Sequence, residues 1–449
     1  MFGDLHLSLN KGVSMKSEGD VVTLERDGHR ISIAAAGHEL AAAVKELSAG
    51  GVTLARLTGD PVRLPMVMRR LARGGWLRYS IMDGAVVATP VATPETEWPA
   101  LDPDARYALS RFAYLHRDGD TLLLRSPLSY LEVAVADPRA IALVARLAAP
   151  RPYDELVETD LDAQVMRLFR HARLVCEPDG EDGEDGDPAI RQWEFHDLLF
   201  HASTRDGRHD RPTGGTYRFR GEIDPLPAVR PAIGELVTLP APRAERPETS
   251  LFDVLDRRRS IRRHGERPLT KEELGEFLHR SARLSGVFRA GDEEVGRRPY
   301  PGGGGLHELE IYVVAGKCAD LPAGLYHYRA REHALGRVSE MTAPVEALLR
   351  DAAFSTANPE GPQVLIVIAA RFQRLSWKYQ RIAYSLILKH VGCLIQTMYL
   401  VATALELAPC AIGGGNSELF TRALGESYFT ETSVGEFALG TRPDRDAEE

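Results

Sequence analysis

The spacing of apolar positions changes period several times along this chain, and each change marks a predicted element. Val21-Val22-Thr23-Leu24 and Ile31-Ser32-Ile33 alternate as short strands around an Asp27-Gly28 turn. Leu40, Val44 and Leu47 then recur at helical spacing. A second helix is predicted over Pro65 to Arg73, presenting Met66, Leu71 and several arginines. Trp76-Leu77-Arg78-Tyr79 and Ala85-Val86-Val87 read as a hairpin around Asp83-Gly84. Strands, helices and a two-stranded wing together predict a small winged-helix-like module over residues 1–95.

A second module, 105–178, repeats the plan without repeating the residues. Phe112-Ala113-Tyr114-Leu115 and Thr121-Leu122-Leu123-Leu124 flank Asp118-Gly119. Helices are expected at Ile141 to Leu147 and Gln164 to Ala172, the latter capped at Thr159-Asp160. The acidic, glycine-rich stretch from Glu177 to Pro188 has no apolar anchor, so a solvated linker is placed at 179–189.

Residues 190–449 form the third unit. Prolines at 225, 227, 231, 240 and 242 exclude a central strand there. Beyond them, Leu251 to Arg257 and Lys271 to Leu284 read as helices, and Leu309 to Ala315 and Val364 to Ala369 as strands. The pattern predicts an α+β domain with a mainly antiparallel sheet. The most apolar helix, Ile382 to Leu407, contains Lys389, His390, Gln396 and Glu406, which suits a buried core helix rather than a membrane span.

Charge and cysteine usage narrow the functional classes. A net charge of −9 argues against nucleic-acid binding through bulk charge, although the Met66 to Arg73 segment is locally basic. Cys176, Cys318, Cys393 and Cys410 form no CxxC pair, so neither zinc nor a redox dithiol is indicated, and a reducing cytoplasm fits. The first twenty residues hold no apolar signal core. His196 and His201 are five apart and share no helical face, so no metal ligand set is expected.

Four stretches carry candidate chemistry. Arg257 to Arg263, RRRSIRR, offers guanidinium forks suited to phosphate oxygens or to the electron-rich edge of a reduced flavin; judged alone, a solvated basic helix end is the plainer reading. In RPYPGGGGLH, from Arg298 to His307, four glycines permit positive φ and close backbone approach, though a flexible turn has the same composition. Trp377-Lys378-Tyr379 sets a lysine against aromatic walls, where lost hydration would lower its pKa towards that of a general base; a surface lysine between packing aromatics is the plainer reading. Ile412-Gly413-Gly414-Gly415 follows the long helix and reads either as a helix-ending turn or as backbone amides facing a flat cofactor. No Walker loop, GxSxG elbow, HExxH or Rossmann glycine fingerprint is present.

The ordered set WEFHDLLFHASTR, RRSIR, RPYPGGGGLHELEIYVV, GLYHYRAREHAL, WKYQRIAY and the helix into AIGGG resembles the nitroreductase-like flavoprotein superfamily over residues 190–445. More narrowly it resembles the SagB-type dehydrogenases, the azoline oxidases of ribosomal peptide biosynthesis. Two positions depart from that pattern: Gly302 stands where a serine is common and Glu308 where a proline is common. The resemblance implies an FMN-dependent homodimer with the flavin at the subunit contact. It matches Arg258, Arg259, Ser260 and Arg262 to flavin contacts, puts Gly303 and Gly304 near the ring across the dimer, and matches Lys378 and Tyr379 to the catalytic pair. Ile412, Gly413 and Gly414 would meet the flavin near N5 and O4. The N-terminal modules look like the paired peptide clamps of cyanobactin oxidases, which bind a precursor's leader. The expected activity is dehydrogenation of thiazoline or (methyl)oxazoline rings to azoles, with dioxygen as acceptor and a cyclodehydratase as partner. The rival expectations are an NAD(P)H-dependent nitro or quinone reductase and a non-catalytic peptide-binding scaffold. Neither nucleic acid nor membrane is an expected partner.

Overall fold

The computed structural model describes residues 6–18, 21–26, 28–34, 38–53, 56, 62–81, 84–91, 99–178, 180, 184, 186–242 and 249–444. Asp27 and Asp83, the tips of two predicted turns, lie outside this set, as does part of the 179–189 segment. The chain folds as two units, Met1–Arg211 and Pro212–Glu449.

In the first unit the predicted strands pair as Val21–Arg26 with His29–Ala34, and Ser14–Glu18 adds a third strand. Leu40, Val44 and Leu47 bury one face of the His38–Ser48 helix, as their spacing requires. Thr159 caps the Asp160–His171 helix in a reciprocal box with Asp162. The strand expected from Phe112 begins at Tyr114 instead. Phe112 is buried behind an Arg111 cation that lies 4.2 Å over its ring.

The two modules are joined more closely than two linked domains. The Val86–Pro90 strand of the first pairs antiparallel with Leu131–Val135 of the second, which makes one seven-stranded sheet. Their buried residues, from Leu7 to Val175, form one core.

The first unit also extends past the expected linker. Glu184 is buried within it, accepting hydrogen bonds from the Ser110 hydroxyl and the Arg111 amide. Arg111 donates to the carbonyls of Ile190 and Trp193, at 2.7 and 2.9 Å. Arg211 pairs with Asp118 at 2.8 Å and Glu132 at 3.1 Å. These polar anchors keep 184–211, including the Phe195–Ser203 helix, with the first unit.

Seven antiparallel strands also form the sheet of the second unit. In spatial order they are Leu236–Thr238, Ala334–Glu340, Gly324–Arg329, Leu309–Ala315, Val364–Arg371, Glu431–Thr441 and Leu407–Ile412. Leu309–Ala315 and Val364–Arg371 pair along seven residues at the centre and are buried on both faces, which explains their unbroken apolar runs. The proline-rich crossing contributes Leu236–Thr238, an edge strand.

The long helix spans Ala383–Ala404 and is long and apolar enough to cross a membrane by composition alone. Here Ile387, His390, Val391, Leu394, Met398 and Ala402 pack it into the core. It stops earlier than expected. Leu405 closes it, Glu406 takes a φ of 56°, and Leu407–Ile412 becomes a strand rather than a further helical turn. Pro409, which a helix interior would reject, sits comfortably on this outermost strand.

Candidate active site

The predicted site residues assemble in the second unit as two groups, each with its own supports. The first centres on Gly302–Gly305 and Lys378-Tyr379. Gly304 has a φ of 61°, and a Cβ there would lie 2.9 Å from Tyr379 Oη and 3.1 Å from Lys378 Nζ. Glycine is therefore required by backbone conformation and by crowding together. The lysine, the tyrosine and the loop thus meet within one chain.

The loop is fixed from behind. The Gly303 amide donates to His390 Nε2 at 2.8 Å, and His390 Nδ1 lies 2.8 Å from Glu308 Oε1. With Nε2 accepting, the ring proton sits on Nδ1 and points at the carboxylate. Glu308 is fully buried, so the departure from proline at this position places an acid that orients the histidine under the loop. Sequence spacing alone did not disclose this link, because Glu308 and His390 are 82 residues apart.

Lys378 is set by backbone and side chain. Its carbonyl accepts from the Tyr217 amide at 3.1 Å, and Tyr379-Gln380 pairs with Gly214-Gly215. Nζ lies 2.8 Å from Glu293 Oε2, 5.2 Å from the Tyr217 ring centre and 5.7 Å from that of Tyr379. The expected depression of the lysine pKa is reversed. Burial pushes it down, but hydrogen bonds to Glu293 and Tyr217 and the charge on Glu293 outweigh this and raise it above the ordinary value. Lys378 is an ammonium at neutral pH. The aromatic walls are present, and the missing piece was Glu293, an acid 85 residues upstream.

The second group gathers where the arginine run crosses the outermost strand. Ile261 N–H donates to the Pro409 carbonyl at 2.8 Å. Tyr399 Oη joins the two segments, 2.7 Å from Ser260 Oγ and accepting from the Ala411 amide at 2.8 Å. The Arg258 guanidinium lies 5.3 Å over the Tyr399 ring. Arg259 and Arg262 are exposed, and the Arg262 charge reaches Cys410. Ile412 ends the strand opposite Glu436. A Cβ at Gly413 or Gly414 would meet no atom of the chain within 4 Å, whereas at Gly415 it would press on Glu436 Oε1 at 2.5 Å. Gly413 and Gly414 thus present open backbone, flanked by the buried strand residue Ile412 on one side and the Gly415–Glu436 contact on the other. Burial raises the Glu436 carboxyl to about 7. Among the described residues, no group of three or more His, Cys, Asp or Glu is arranged to hold a metal.

Comparison with known proteins agrees with this division. Residues 107–210 match the model of the cyanobactin oxidase ThcOx, and residues 255–440 match the nitroreductase family. The first match ends beside the Arg211/Pro212 boundary. A nitroreductase-type protein of Methanocaldococcus jannaschii, MJ1384, is 28% identical over 181 residues, which is 40% of this chain and 86% of that protein. The microcin B17-processing protein McbC of Escherichia coli is 29% identical over 129 residues, 28% of this chain. The matched region spans 47% of McbC, under half its length. Among solved structures, the E. coli microcin synthetase McbBCD complex with truncated pro-MccB17 gives a TM-score of 0.36 at 20% identity, covering 46% of this chain and 78% of that one. Residues 255–440 are thus similar to the nitroreductase family, and the same chain carries a region similar to the cyanobactin oxidase at 107–210.

Proposed function

We propose that the chain is an FMN-dependent oxidase that dehydrogenates thiazoline or (methyl)oxazoline rings of a ribosomally synthesised peptide to azoles. The observation that carries this reading is the convergence of Lys378, Tyr379 and Gly304 in one cluster. The matches to a cyanobactin oxidase model and to a microcin-processing protein support the substrate class.

The residues present suit a flavin. Gly304 forms a cradle that any side chain would fill, the Gly413-Gly414 backbone is open, and Arg258, Arg259 and Arg262 with Ser260 offer cations and a hydroxyl for a phosphate or an anionic ring edge. Bound FMN would supply the two-electron acceptor for a ring hydride, with dioxygen restoring it. Within the chain, Gly303 and Gly304 would line the ring plane, and the amides from Ile412 to Gly414 would donate to its polar edge. Arg262 would offset negative charge that grows during reduction. Lys378 would take the ring Cα proton, with Tyr379 positioning the amine. A homodimer would bring the loop of one subunit to the arginine group of the other.

The first unit, in this reading, holds the leader of the precursor peptide and raises the effective concentration of the core at the site. A cyclodehydratase that forms the azoline would act just before it.

The direct test is incubation of the purified, flavin-loaded protein with a thiazoline-bearing precursor peptide in air. Loss of two hydrogens by mass spectrometry is expected, and Lys378→Ala should keep its flavin and lose turnover. Full activity in that variant would remove the base assignment. The similarity to MJ1384, spanning most of that protein, favours a nicotinamide-dependent reductase as the second reading. Rapid NAD(P)H-driven bleaching of the flavin in stopped flow, without azoline conversion, would select it.

A further inference from the structure

An ammonium has no lone pair, so Lys378 as it stands cannot accept a carbon-bound proton. The structure offers a way round this. Glu293 opens the Glu293–Arg297 strand, and its side chain is only 5% exposed. Oε2 is 2.8 Å from Lys378 Nζ, while Oε1 is buried without a hydrogen-bond partner. Tyr217 and Tyr379 face the same ammonium, and Arg374 feels the Glu293 charge from further off. The pair is net neutral, and its proton can cross the existing hydrogen bond without creating a new charge.

We propose that Glu293 is the proton partner of Lys378, so that the Glu293–Lys378 pair, rather than the lysine alone, removes the substrate proton. This rests on the azoline-oxidation reading. One proton moves from Nζ to Oε2, leaving an amine and a carboxylic acid. The amine then takes the ring Cα proton as the hydride leaves the adjacent carbon for the flavin. The carboxylic acid finally gives its proton to solvent, which restores the ion pair. The substrate loses one proton and one hydride. Glu293 touches no substrate and acts through Lys378, as a positioning and relay residue.

The test uses the flavin-loaded full chain and a thiazoline peptide. Turnover of the parent protein should be nearly flat from about pH 6 to about pH 9, because no proton must first be lost to solvent. A rate that climbs about tenfold per pH unit across that range would overturn the proposal. Glu293→Gln should retain flavin yet lose about 100-fold in turnover near pH 7, within the usual range for proton-transfer catalysis. In the same variant, acetic anhydride labelling of Lys378, read by peptide mass spectrometry, should begin at lower pH, since burial is no longer opposed by the carboxylate. Easier labelling with equal or faster turnover would mean that Glu293 merely traps the lysine, and would overturn the relay. An unmoved labelling profile would overturn the pairing itself, and this arm stands even if the parent converts no azoline, an outcome that would instead sink the functional reading. If Glu293→Gln does not fold, Glu293→Asp retracts the carboxylate by one methylene; turnover near pH 7 should fall and its pH profile steepen, and parent-like turnover with a flat profile in that variant would overturn the proposal.

Discussion

Glycines at two places in the site answer to different causes, and substitution should separate them. Gly304 combines a φ of 61° with a Cβ position already taken by Tyr379 and Lys378. Gly304→Ala should cost about 1 kcal/mol or more in a denaturant titration, and it should depress turnover by pushing the two catalytic candidates aside. Gly413→Ala and Gly414→Ala meet open space, so their stability should change by no more than about 0.5 kcal/mol. Any loss of flavin from them would then report a contact with the cofactor rather than damage to the fold. The glycine runs and the Lys-Tyr pair were visible in the sequence because each is contiguous. Glu293 and Glu308 were not, because a single acid gains its meaning only from a partner more than eighty residues away.

Glu436 gives a residue-scale prediction in pH. Its carboxyl is raised to about 7 by burial, so between about pH 4.5 and 7 the folded chain holds a proton that the unfolded chain releases. Its contribution therefore falls as pH rises through that window and is lowest above it. His264 and His307 act in the opposite sense. Burial lowers both to about 4, so the unfolded chain binds their protons first and their contribution grows as pH rises from about 4 to 6.5. The overall melting profile mixes the two trends, and the difference between parent and variant isolates the acid. Glu436→Gln should stabilise the protein by up to about 3 kcal/mol above pH 7 and by little near pH 5, measured as thermal midpoints across pH.

At the scale of elements, the central strands were legible because burial on both faces demands the unbroken runs LEIYVVA and VLIVIAAR. The Ala383–Ala404 helix was legible from its length and apolar content, but its end was not. LAPCAI is as apolar as the helix before it, and only pairing with Glu431–Thr441 makes it a strand. The helix also leaves apolar side chains outward, Tyr384 at 46% and Leu388 at 40% exposed. In the proposed homodimer this face meets its symmetry mate. Leu388→Glu should then convert a dimer to a monomer in light scattering and release the flavin, with little change in the monomer's helix content. A variant that remains dimeric with flavin bound would place the subunit contact elsewhere.

At the scale of the whole molecule, composition misplaces the boundary between units. EPDGEDGEDGDP has the look of a tether, yet Glu184 is one of its acids and is buried against Ser110 and Arg111. Polar anchoring of this kind leaves no hydrophobic period to read. The consequence is testable with fragments. A fragment ending at Arg211 retains the carbonyl partners of Arg111 and the Arg211 pairs to Asp118 and Glu132. One ending at residue 178 removes the two carbonyls that Arg111 donates to and the acid that satisfies Ser110. The longer fragment should melt higher and more cooperatively, by about 2 kcal/mol or more, since several hydrogen bonds to charged groups at roughly 1.5 kcal/mol or above are at stake. If this unit is the leader clamp, the 1–211 fragment alone should bind a leader peptide in anisotropy titrations. The 212–449 fragment should still bind FMN but lose its preference for leader-bearing over leaderless azoline peptides. A 212–449 fragment that keeps that preference would move peptide recognition into the catalytic unit and leave the paired modules without the role proposed for them.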